Sequence, residues 1–390
     1  MIRVYGFSLE SDWRFFETET GFLNRKQWPL VGMEIWLPLT ADRVKIEQFL
    51  RREHIPILDL VARPEQRVRL AVTPETCGIL SQSDVFSPEI IENIEKFCAV
   101  YFEEKSSRVF EMGGRRWDLA KRTLIMGIVN VTPDSFYDGG LFLEADDALF
   151  HAEELLEAGA DIVDVGAEST RPGARTLSEA EELDRILPTL EILKDQLAVP
   201  LSVDTSKASV AREAIRAGAN AVNDISGLRF DPEMAGVVAE AGVPIFLMHI
   251  RGTPRTMQKN PVYKNLMGEI LNDLDESKKC ALQAGILPER IVVDPGIGFG
   301  KQWYQNYQIL GELAALKMLE APILVGHSRK SFLGKVLKLP PAERLEGSLV
   351  AGAVAILNGA DILRVHDAQE ARRAAQIADF FAGKGSWPVV

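Results

Sequence analysis

From Leu124 to the C-terminus one pattern repeats: a short apolar, β-rich run, then a longer stretch with helical periodicity. The runs are "LIMGIVNV", "DIVDVG", "LSVDT", "AVNDIS", "PIFLMH", "IVVDPG", "PILVGHS" and "ILRVHD". Between them lie stretches such as "ADDALFHAEELLEAG", "SEAEELDRILPTLEILKDQ", "KASVAREAIRAG" and "ERLEGSLVAGAVAILNG", several ending in the glycine that helix C-termini favour. Runs that are apolar throughout, rather than at alternate residues, are buried on both faces and belong to a parallel sheet. Eight such units in about 265 residues match the count and size of a (β/α)8 barrel. An open doubly wound sheet shares the alternation, but eight equal units without an odd strand fit a closed barrel better. We therefore expect an α/β protein: a (β/α)8 TIM barrel over residues 113–390, preceded by a smaller α/β N-terminal domain over 1–112.

A barrel of this kind builds its active site at the C-terminal ends of its strands, so sequence position becomes geometry. Polar residues gather there in nearly every unit: Asn130, Glu168 to Arg171, Asp204, Asn223 and Asp224, His249, Asp294, then Ser328 to Lys330, and finally Arg364, His366 and Asp367. A single Asp or Ser at such a place is more often a helix cap, and Asp146, Ser178 and Asp224 are read that way. Eight strand ends converging on one mouth describe a site. Asp204, Asn223 and Asp294 suit a small planar heterocycle with an amino group and ring N–H donors. Lys330, Arg364, His366 and Arg171 supply cations for phosphate or carboxylate, which arginine binds through paired hydrogen bonds. Asn130 and Asp134 offer hard oxygen ligands for a magnesium ion shared with substrate phosphates. No Ser-His-Asp order, HExxH motif or candidate cysteine nucleophile is present, so placement and charge stabilisation are expected to carry the chemistry.

The glycine-rich "DPGIGFGKQ" (294–302) is neither of the nucleotide loops it suggests. A P-loop needs glycine where Pro295 stands and Ser or Thr where Gln302 stands. Counted from Gly296, the third glycine of a dinucleotide turn falls on Lys301, which we expect to face solvent without a role. Composition narrows the partners. A net charge of −12 argues against nucleic acid. Cys77, Cys98 and Cys280 show no disulfide or zinc spacing, and neither a signal peptide nor a membrane-length run is seen. The cytoplasm is the expected location, and small molecules, not a membrane, the expected partners.

Read together and in order, "MGIVNVTPDSFYDGG" (126–140), "DVGAESTRPGA" (164–174), "SVDT" (202–205), "VND" (222–224), "LMHIRGTPRTMQ" (247–258), "DPGIGFGK" (294–301), "GHSRKS" (326–331) and "RVHD" (364–367) resemble the dihydropteroate synthase family. The resemblance runs from about Arg115 to the C-terminus. It implies a transferase that joins 6-hydroxymethyl-7,8-dihydropterin diphosphate to 4-aminobenzoate, with magnesium, giving 7,8-dihydropteroate and diphosphate. Carried over motif by motif, Asn223, Asp294 and Lys330 would hold the pterin. Asp204 would stabilise cationic character beside it, and Met248 would line the substrate pocket. Asn130 matches the magnesium-linked asparagine. Arg171, Arg364 and His366 would hold diphosphate. Asp134 and Phe136 belong to a first mobile loop, Thr170 and Pro172 to a second. Phe299 would line the aminobenzoate pocket, whose carboxylate would meet the helix starting at Ser331.

Methyltetrahydrofolate–corrinoid methyltransferases bind a pterin in a similar barrel, but they have no use for the diphosphate set. A non-catalytic pterin-binding paralogue should have lost loop residues that are present here. Tyr137 stands where serine is commoner, which touches only loop detail. Within 1–112 no catalytic constellation is visible. Gly113-Gly114 reads as a hairpin turn into the barrel, and the aromatic-rich extension reads as a packed unit for assembly or for contact with a neighbouring folate enzyme. The resemblance also implies a homodimer through outer barrel helices.

Overall fold

The structure, a computed structural model, describes residues 4–7, 31–37, 41–55, 57–61, 67–102, 108–131, 145–168 and 177–384. Asp134, Phe136, Thr170, Arg171 and Pro172 therefore lie outside the described residues. Two compact units emerge. One comprises 1–106 together with 267–272 and 311–320; the other holds the rest of the chain.

In the first unit, strands β1 (Val4–Phe7), β2 (Val31–Trp36), β3 (Ile57–Val61) and β4 (Arg67–Val72) form an antiparallel sheet in the order β1-β2-β4-β3. Helices Arg43–Arg52, Pro74–Ser81 and Pro88–Phe102 accompany it. Their starts are written locally: Asp42 accepts from the Lys45 amide at 3.1 Å, and Thr73 with Thr76 forms a reciprocal capping box. Met33, Ile35, Leu50, Leu70, Leu80 and Phe97 are fully buried, which is the core of a packed element.

The second unit opens with the hairpin β5 (Val109–Met112) and β6 (Arg115–Asp118). Met112 faces Arg115 across a two-residue turn, and Gly113 and Gly114 take φ of 56° and 74°. Two consecutive positive φ values are what such a turn requires, and glycine adopts them without strain. Eight parallel strands follow: β7 (Leu124–Asn130), β8 (Ile162–Gly166), β9 (Leu201–Asp204), β10 (Ala221–Asp224), β11 (Ile245–Met248), β12 (Ile291–Asp294), β13 (Leu324–Val325) and β14 (Ile362–Val365). They pair in chain order, β14 pairs with β7, and a parallel bridge from Val293 to Ile323 joins β12 to the β13 edge. The sheet thus closes into the expected barrel.

The hairpin supplies the floor. Phe110, Met112, Trp117 and Leu119 pack in one cluster with Leu124, Met126, Ile162, Ala221, Phe246, Val292, Leu324 and Ile362. Side chains of this size contribute about 1.5–3 kcal/mol each on full burial, so the N-terminal end is a filled core and the opposite end is left for chemistry. Among the described residues, no helix is long and apolar enough to cross a membrane.

Candidate active site at the barrel mouth

Strand register sets one level of the mouth. Asn130, Gly166, Asp204 and Asn223 lie opposite one another across successive pairs from β7 to β10. At Gly166 an added Cβ would come within 3.2 Å of Asp204 Cβ, so the absent side chain is what lets Asp204 lean inward. Asp204 accepts from Arg364 Nη2 at 2.7 Å. Arg364 also donates through Nε to Asp164 Oδ2 at 2.6 Å, and that same oxygen accepts from Asn223 Nδ2 at 2.9 Å. Four residues from four strands thereby share one charge-assisted network. Burial pushes Asp204 up to about 7; Arg364 opposes this, while Asp164 adds to it.

The loop after β12 forms the facing wall. Asp294 is buried, its Oδ1 accepts from the Gly296 amide at 2.6 Å, and burial raises its pKa against the pull of Lys330. Lys330 donates to the Ile297 carbonyl at 2.6 Å, and its Nζ lies 4.6 Å from the centre of the Phe299 ring. Burial brings the Lys330 pKa down to about 8, with Asp294 resisting. Phe299 belongs to a buried apolar cluster with Ile225, Met248, Ile250 and Met257. Polar groups and an apolar cluster therefore meet at Phe299. At Gly296, φ is 67° and a Cβ would run into the His249 carbonyl oxygen, so only glycine fits.

Lys301 corrects the sequence reading. It does not face solvent: it is 2% exposed, and its Nζ donates to the carbonyls of Pro295 (2.6 Å), Gly296 (2.8 Å) and His249 (3.0 Å). His249 Nδ1 lies 2.8 Å from the same nitrogen, and its Nε2 is 3.1 Å from Asp273 Oδ2.

The rim is less uniform. His366 Nδ1 lies 3.0 Å from Ser328 Oγ. His366 is exposed at the rim, and partial loss of hydration, then the charge of Arg364 beside it, lowers its pKa. Arg329 is committed to Asp367, at 2.8 and 2.5 Å. Ser331 opens the helix Ser331–Leu337 and is exposed. Asp224 accepts the amides of Ser226 and Leu228, and Ser178 caps the helix Glu179–Gln196, so both are the turn and cap residues expected. Among the described residues, no group of three or more His, Cys, Asp or Glu could hold a metal ion.

The family model described as "Pterin binding enzyme" matches residues 126–366, a span that contains every residue of this network. A dihydropteroate synthase from Synechocystis is 48% identical over 269 residues, covering 69% of this chain and 93% of the relative. The chain belongs to the dihydropteroate synthase family. It is an enzyme, a transferase, and its activity is dihydropteroate synthesis. Solved structures agree. A Yersinia pestis dihydropteroate synthase, in complex with a sulfonamide drug, is 45% identical with a TM-score of 0.67, covering 70% of this chain and 98% of that one. A Xanthomonas albilineans dihydropteroate synthase, solved with 4-aminobenzoic acid, is 41% identical with a TM-score of 0.66, covering 71% and 98%.

Within this dihydropteroate synthase fold, sequence reasoning named Asp204, Asn223 and Arg364 but passed over Asp164, which joins them. It also overlooked Lys207, which pairs with Glu168 and Glu182 and holds the base of the β8 loop. A carboxylate inside an otherwise apolar strand was the available signal for Asp164, because a buried charge needs a partner.

Proposed function

We propose that the barrel mouth seats 6-hydroxymethyl-7,8-dihydropterin diphosphate with its ring deep, against Asp294, Asn223 and Lys330, and its diphosphate toward the rim. Asp294 would accept from the 2-amino and N3 donors of the ring. The observation that carries this reading is the convergence of Asp204, Asn223, Asp164 and Arg364 in one hydrogen-bonded network beside the Asp294–Lys330 pair. Bond breaking between the exocyclic carbon and diphosphate leaves positive charge on the ring and negative charge on the departing group. Asp204 stabilises the first; Arg364, Arg171 and His366 meet the second. The aniline nitrogen of 4-aminobenzoate, unprotonated at pH 7, then forms the new C–N bond and loses a proton. Phe299 and Met248 would line its slot, with the carboxylate at the start of the Ser331 helix. The loops that carry Asp134, Phe136, Thr170 and Pro172 would exclude the water that competes for the same electrophile.

Magnesium fits the donor set as an ion shared with substrate. Asn130 places one amide oxygen on the level of Asp204, and magnesium characteristically takes few protein ligands beside phosphate oxygens and water. When bound, it would neutralise charge on the leaving diphosphate. Residues 1–112 we read as an N-terminal α/β domain that serves assembly, the whole as a cytoplasmic homodimer; light scattering of the intact chain tests the last point. The methyltransferase alternative gains no support from the site.

The reading is tested by diphosphate release from the purified chain. Release should require 4-aminobenzoate and magnesium together; release that ignores either would sink the assignment. A pH profile follows from the two shifted groups. Asp204 acts as the anion and Lys330 as the cation. kcat/KM for the pterin should therefore rise with pH through about 7 and fall through about 8, since this ratio reports the free enzyme. A profile flat across both values would contradict the roles given to them.

A further inference from the structure

We infer that Lys301 is a positioning residue: from beneath the loop after β12 it holds the backbone that aims Asp294, Lys330 and Phe299 at the pterin. The inference rests on the site reading given above. Three contacts carry it. Lys301 Nζ holds the Gly296 carbonyl at 2.8 Å, and the amide of the same Gly296 fixes Asp294 Oδ1 at 2.6 Å. The Gly296 carbonyl also accepts from the Phe299 amide at 3.0 Å, setting the start of the turn that carries the ring. One residue further on, the Ile297 carbonyl is the acceptor for Lys330.

The loop cannot hold this shape by itself. Gly296, Gly298 and Gly300 all have positive φ, at 67°, 85° and 68°. Such a segment has many alternative conformations to lose on ordering. Its carbonyls at Pro295 and Gly296 turn inward to one buried amine, which also ties them across to His249 at the end of β11. His249 is braced in turn: burial, then the charge of Lys301, brings its pKa down to about 3. A neutral ring with its unprotonated Nδ1 toward the amine donates from Nε2 to Asp273, 3.1 Å away. The amine makes no hydrogen bond to the groups proposed to meet substrate; it acts on them through the backbone it holds and, at Asp294, also through its charge, which draws that carboxyl's pKa down.

The test is a double-mutant cycle on the intact enzyme, reading the Kd of 6-hydroxymethyl-7,8-dihydropterin diphosphate by calorimetry. Lys301→Met keeps the aliphatic stem and removes the donor. In the native background it should weaken binding roughly 10-fold to 100-fold, the range expected when buried polar groups lose the partner that orders them. In an Asp294→Ala background the same change should cost far less, because the group being aimed is gone. Equal losses in both backgrounds, or parent-like binding by folded Lys301→Met, overturn the inference. Should Asp294→Ala alone bind like the parent, the site reading fails instead, so the two failures are told apart. If Lys301→Met does not fold, Lys301→Gln, which retains an N–H donor, replaces it in the cycle and should show a smaller loss with the same dependence on Asp294. Failure of both variants to fold would make Lys301 a purely structural residue and overturn the inference as well.

Discussion

Lys330→Ala should lower kcat/KM for the pterin by about 10³ while leaving the fold intact. The size follows from what surrounds the amine. Asp294 is buried, and burial raises its pKa; Lys330 is the foremost charge holding that rise in check. Without it the carboxyl shifts further toward its neutral form, and one of its lone-pair positions is lost to a proton. It then accepts poorly from the two ring donors assigned to it. The Phe299 ring loses the cation 4.6 Å from its centre in the same step. Stability should not suffer, since the lysine is itself held at a desolvation cost that burial imposes on its charge. Steady-state kinetics beside a urea denaturation curve separates the two effects. Lys330→Arg, which keeps a cation, should retain more activity than the alanine variant. Near-normal turnover by Lys330→Ala would remove the lysine from the site.

Asp164→Ala should cost both stability and activity, with destabilisation of about 3 kcal/mol. Asp164 is fully buried, and a single oxygen of its carboxylate receives Arg364 and Asn223. Its other oxygen is buried with no hydrogen-bond partner in this structure, so the carboxylate is retained against some desolvation cost. Truncation leaves the half-buried Arg364 guanidinium leaning on Asp204 alone, and frees the Asn223 amide to rotate. The urea midpoint measures the first consequence, and the KM for the pterin measures the second. Asp164→Asn keeps an acceptor without the charge and should fall between. An unchanged midpoint in the alanine variant would show that the network contributes nothing to the fold.

The barrel was legible because its strands are buried on both faces, and continuous apolar runs such as "LIMGIVN" and "IFLM" record that burial directly. The hairpin was legible from Gly113-Gly114, since few other residues tolerate those dihedrals. Asp204 and Asp294 could be placed because each ends a strand, and Asn223 because it stands one residue before the end of its own. Asp164 could not, because it sits inside β8, where position along the chain does not reveal which way a side chain points. Lys301 was misread for a different reason. Its partners are main-chain carbonyls, which carry no sequence signature, and two of them belong to the loop it closes.

The guanidinium that balances Asp164 and Asp204 comes from β14, and β14 also completes the cylinder by pairing with β7. Closing the cylinder and neutralising its interior therefore depend on one and the same strand.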